Sequence, residues 1–163
     1  MSTPQEIPPL WDWTLERYRR DGVAPLCLAL QERHGADVNL LFLALWLAAT
    51  GRALSPDDDP GVAVAAWHRE IVLPLRSARR AMKGWPMPEN RPTPEERDRV
   101  RAKLQAVEIE TEKLELGLLE AWSTGAELAP ADASPATALA NLRHVLPAAS
   151  DDPGLAKLAE LAD

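Results

Sequence analysis

The longest unbroken apolar run in the chain is Leu40–Ala49, inside the stretch DVNLLFLALWLAAT (Asp37–Thr50). A bilayer span needs about 20 such residues, roughly twice this run. A helix this short and apolar on every side belongs in a globular core. The other amphipathic segments are therefore expected to pack around it.

Before that run, Met1–Ile7 reads as a loose leader, and Pro8 and Pro9 suit a helix start. Leu10–Arg20 follows as the first helix, with Trp11, Leu15 and Tyr18 on one face. Asp21-Gly22 ends it. Val23–His34 is the second helix, with Val23, Leu26, Cys27 and Leu30 on its apolar side. Gly35 is placed to close it in the left-handed conformation, and Asp37 to cap the central helix, which ends near Gly51.

Ser55–Pro60, SPDDDP, is a polar loop. From Val62 to Gly84 the positions Val64, Trp67, Ile71, Leu75, Ala78, Met82 and Trp85 repeat by threes and fours. Pro74 interrupts that repeat. A proline there removes one ladder bond and collides with the previous turn, so a kink near Glu70–Pro74, or two helices meeting there, is expected. Trp85–Pro94 is proline-rich and irregular. Thr93-Pro94-Glu95-Glu96 is a capping-box start for a helix running to about Ser123. Val100, Leu104, Val107, Thr111, Leu114, Leu118 and Ala121 form a heptad seam on it. That seam suits antiparallel pairing with the Val62–Gly84 segment.

The pattern divides the chain into a helical core domain over 8–123, an Ala/Pro-rich linker over 124–135 and a short amphipathic helical tail over 136–163. The tail carries leucines at 139, 142, 146, 155, 158 and 161 and is too short to be stable alone. The predicted fold class is all-α: a bundle of about five main helices with a long antiparallel pair and a helical C-terminal extension.

Composition supports this and narrows the function. The chain has 163 residues, 46% of them apolar, which is enough for a core. Its formal charge is −7, which argues against general nucleic-acid binding. One cysteine, Cys27, excludes an internal disulfide or a cysteine-rich metal site. The N-terminus has no secretory pattern, so a cytoplasmic location is expected.

Candidate chemistry is sparse. His34, His68 and His144 show no metal-ligand spacing, and no metal or cofactor is expected. Asn39 and Thr50 share a face of the central helix. Asn39 could line a polar pocket with His68 and Arg69, or Asn39 could assist the helix start while Thr50 bonds back to a carbonyl. Arg76, Arg79, Arg80 and Lys83 form a basic run. It is either paired with Glu108, Glu112 and Glu115 on the facing helix, or an anion or partner contact. Trp13 and Trp85 lie off the best core stripes and are candidate partner contacts.

Leu10-Trp11 with Trp13 and Tyr18, Gly22-Val23, Cys27-Leu28-Ala29-Leu30-Gln31, Asp37-Val38-Asn39-Leu40-Leu41, Trp46, Trp67 and Pro74-Leu75-Arg76 with Arg79-Arg80 together resemble a family of uncharacterised bacterial all-helical proteins. The likeness covers roughly residues 10–120. It implies a compact helical domain, with Gly-x-Asp-Val-Asn-Leu-Leu and Pro-Leu-Arg-x-x-Arg-Arg as its marked segments, and it carries no activity.

The reading that follows is a non-enzymatic interaction or adaptor protein. It would bind another macromolecule, expected to be a protein, through the basic run, the exposed tryptophans and the leucine-bearing tail. A small-molecule pocket near Asn39, His68 and Arg69 is the alternative, and RNA binding through the basic run a weaker one. A homo-oligomer is compatible with either.

Overall fold

The computed structural model describes residues 6–163. The leader expected at Met1–Ile7 falls mostly outside them. Eight α-helices account for most of the described chain: α1 Leu10–Tyr18, α2 Val23–His34, α3 Val38–Ala49, α4 Pro60–Trp67, α5 Leu73–Met82, α6 Pro94–Gly125, α7 Pro135–Val145 and α8 Pro153–Leu161. A π-helical turn, His68–Val72, joins α4 to α5. The only strands among the described residues are β1 Arg52–Ala53 and β2 Ala129–Pro130, paired antiparallel with Arg52 opposite Pro130. The fold is all-α, and no described helix is long and apolar enough to cross a membrane. The chain divides into two compact units, one holding the residues up to Ala63 with Leu116–Asp163, the other Val64–Glu115.

The first unit is built on α3. Every residue from Leu41 to Ala48 is buried, as an all-round apolar helix requires. Asp37 caps it, accepting from the Asn39 N–H at 2.9 Å. Gly35 closes α2 with φ 65°, a backbone angle that favours glycine. α1 and α7 pack on α3, and α8 packs on α2 and α7. The tail leucines therefore dock within their own unit: Leu142, Leu146, Leu155 and Leu158 are all buried. Each such leucine contributes about 2 kcal/mol by leaving water, and this contact supplies the stability that α7 and α8 lack alone.

One buried polar side chain ties these elements together. The Nδ2 of Asn141 donates to the carbonyls of Ala44 and Arg52, both at 3.1 Å. Its Oδ1 accepts from the Leu54 N–H at 2.9 Å. With its amide fully used, burial costs Asn141 little.

The second unit is a helical hairpin whose arms run antiparallel. Trp67 Nε1 donates to the Thr111 carbonyl at 3.0 Å near one end, and Arg97 donates to the Trp85 carbonyl at 2.7 Å near the other. The capping box opens α6 as its residues dictate. Thr93 Oγ1 accepts from the Glu96 N–H, and the Glu96 carboxylate accepts from the Thr93 N–H.

Pro74 explains the π turn. It has no N–H to give the Glu70 carbonyl, and its ring would strike that turn. The wider turn instead lets the Leu73 N–H bond to the His68 carbonyl, five residues back. The extra residue rotates the face beyond it. Val72 is buried and Ile71 exposed, the reverse of what an uninterrupted stripe predicts.

Pairing along the heptad seam is a second expectation for this hairpin that the structure corrects. Val100, Val107 and Leu114 are exposed. Within this unit the residues of α6 that turn inward are instead Glu108 and Glu115, both buried: arginines of the other arm meet the Glu108 carboxylate, and the His68 imidazole meets that of Glu115.

Candidate functional site

The charged seam of the hairpin is where the chemistry of this chain is concentrated. Arg76 lies on α5 and faces two glutamates of α6. Its Nε donates to Glu108 Oε1 at 3.1 Å and its Nη2 to Glu112 Oε1 at 2.5 Å. Arg79, one turn on, donates from Nε to Glu108 Oε2 and from Nη2 to Glu108 Oε1. Glu108 thus accepts from two guanidinium groups at once.

The electrostatics follow from these contacts. Burial works against the charge on Glu108, but the bonds from Arg79 and Arg76 outweigh it and hold its carboxyl below the usual range. Glu112 goes the other way: burial outweighs the single Arg76 bond and pushes its carboxyl up. Burial also works against the charge on Arg76, yet the Glu108 and Glu112 bonds leave its guanidinium more basic than usual. For Arg79 the bond to Glu108 leads, with the same outcome.

At the end of the hairpin nearer the π turn, His68 Nδ1 donates to Glu115 Oε2 at 3.1 Å. The Glu115 side chain is 0% exposed. No donor among the described residues reaches its other oxygen, Oε1. Leaving a buried polar atom unpaired costs about 1–3 kcal/mol, so this position is held against a penalty.

The predicted site residues are distributed as follows. Arg76 and Arg79 sit in the seam just described. Arg80 and Lys83 are exposed. Trp85 is 58% exposed at the hairpin tip. Trp13 is only 2% exposed and lies in the core of the first unit, edge-on to Phe42 with Arg17 stacked over its ring. It is not a surface contact. The register of α1 sends Trp13 inward and leaves Trp11 half-buried.

Asn39 belongs to the first unit, whereas His68 and Arg69 belong to the second. Arg69 is exposed and pairs with Glu70 at 2.8 Å. Thr50 Oγ1 bonds back to the Leu47 carbonyl at 2.9 Å.

Two features were not foreseen from the sequence. One is the His68–Glu115 pair, whose members are 47 residues apart with no spacing rule to join them. The other is an open cleft of about 350 Å³ in the first unit, lined by residues including Leu40, Asp58, Pro60, His144 and Pro147. There His144 Nε2 donates to the Asp58 carbonyl at 2.6 Å. The SPDDDP loop was legible as polar, but nothing in it pointed to His144.

Over residues 9–119 the chain matches the family described as Protein of unknown function (DUF2390). No curated protein matches it, and no solved structure does.

Proposed function

The chain belongs to the DUF2390 family, and we propose that it acts as a non-enzymatic interaction protein, docking an acidic protein partner on the tip of its second unit. The observation that carries this reading is Trp85, 58% exposed in the connection between α5 and α6. A tryptophan left this open removes much apolar area from water when a partner covers it, and such residues dominate binding energy where they occur at interfaces.

The charge around it supports the choice of partner. From Arg79 to Lys103 there are eight basic residues against four acidic ones, in a chain of net charge −7. A local basic patch steers an acidic partner toward it. The net negative charge elsewhere disfavours a long polyphosphate, so a protein fits better than RNA.

The tip does not need the whole basic run. Arg76 and Arg79 bond to Glu108 and Glu112, so they serve the hairpin. Four of the six tail leucines are buried in the first unit, and Leu139 and Leu161 are half-buried there. What is left to contact a partner is Trp85 with Arg80 and Lys83.

The test is affinity capture with the wild-type chain and with the triple variant Arg80→Glu, Lys83→Glu, Trp85→Ala, each with and without nuclease. The variant should melt within a degree or two of wild type, since all three positions are exposed, and should lose a nuclease-resistant acidic partner. Retention of every partner by the variant would overturn the proposal. Partners that vanish only with nuclease would replace it with RNA binding.

A further inference from the structure

The apolar heptad stripe on α6 turns away from the other arm of the hairpin. Val100 is 54% exposed, Val107 49% and Leu114 57%. With Leu104 and Thr111, both half-buried, they fill successive core positions of a heptad, Val100, Val107 and Leu114 at d and Leu104 and Thr111 at a. The stripe from Val100 to Leu114 runs about 21 Å along the helix. Thr111, its one polar member, already donates from Oγ1 to the Glu108 carbonyl at 2.7 Å, so covering it leaves no hydroxyl proton unpaired.

We infer that this stripe is a homodimer surface, taken by α6 of a second copy of the chain lying antiparallel across a two-fold axis. The flanking charges select the partner and its direction. Lys103 and Glu110, both exposed, occupy successive g positions. In coiled coils the charges at e and g set partner choice and orientation. An antiparallel register that stacks Leu104 on Val107 of the second copy places Lys103 beside its Glu110. Symmetry makes each of these pairs twice.

The alternatives lose that match. Sliding the antiparallel register by one heptad sets Glu110 against Glu110. A parallel pairing sets Lys103 and Glu110 opposite Glu108 and Glu115 of the second copy, both buried against the other arm of their own hairpin, so neither charge gains a partner. The surface is separate from the proposed use of Trp85, and either reading can fail without the other.

Sedimentation equilibrium of the full chain over a range of concentrations should give a reversible dimer. Val107→Glu should yield monomer at all concentrations, with unchanged helicity because the residue is on the surface. Lys103→Glu should weaken association about tenfold, since two attractive contacts become repulsive, and Lys103→Glu with Glu110→Lys should restore it. Direction is read by crosslinking: a Lys103→Cys chain should form a disulfide with a Glu110→Cys chain and not with itself. A wild-type monomer throughout, a dimer indifferent to Val107→Glu, or self-crosslinking of Lys103→Cys would each overturn the inference.

Discussion

Glu108 shows how much one side chain carries in the second unit. Two guanidinium groups bond to it, and its own side chain is only 6% exposed. Glu108→Gln leaves Arg76 and Arg79 facing a neutral amide, and removing one member of a buried ion cluster costs about 3 kcal/mol. Urea denaturation at neutral pH should show a loss of that size. The loss depends on pH in a defined direction. The folded-state pKa of Glu108 is depressed, so its contribution is complete above the unfolded value near 4.5 and fades as pH falls through the folded value. Glu112, with a raised pKa, works oppositely: its contribution is present at low pH and fades as pH rises through its folded value. The gap between wild type and Glu108→Gln should therefore shrink in acid, and a gap independent of pH would refute the assignment. Cys27 offers a simpler probe. Burial pushes its thiol up to about 12, and the residue is 0% exposed. A thiol so placed is inert, so an aromatic disulfide reagent should react with it only as fast as α2 opens, and prompt reaction in the native state would contradict this placement.

At the scale of elements, what could be read in advance depended on how local its cause was. α2, α3 and the start of α6 were legible because Gly35, Asp37 and the Thr93–Glu96 box act within a few residues of themselves. The break before Pro74 was legible too, though not its form. That a π turn would absorb the proline depends on what the rest of the helix gains by rotating Val72 inward. β1 and β2 were not legible, since two-residue strands are too short to show a period. The inward face of α6 was misread for a physical reason. Val100, Val107 and Leu114 make the stronger hydrophobic pattern, whereas Glu108 and Glu115 are of a type almost never buried unless paired. The pairing of Arg76 and Arg79 with Glu108 and Glu112 was one of the two readings the sequence offered, whereas His68, the partner of Glu115, lies in the π turn, beyond the reach of any pattern along one segment. Asn141 belongs to the same class of long-range partner. Replacing it with alanine should strand the Leu54 N–H and lower stability by about 2 kcal/mol, measured as a shift in the denaturation midpoint at constant slope; no shift would mean that its three hydrogen bonds contribute nothing net.

For the molecule as a whole, the two units differ in what holds them. The first closes around an apolar centre in which α3 is the main contributor. The second has few buried apolar side chains among its described residues, Val64 and Val72 among them, and leans on ion pairs instead. Acid should therefore loosen the hairpin before it loosens the α3 core. The first unit bears a different consequence, one of timing. Asn141, which anchors α7 to Ala44, lies 97 residues downstream of it. At a synthesis rate of about 5–20 residues per second, the greasiest helix of the chain leaves the ribosome roughly 5–20 s before its principal cover has been made. Through that interval α1 can already lie on Leu41–Ala48, but the side that α7 will cover stays open, so a holding chaperone is the expected occupant of that side of the newborn chain.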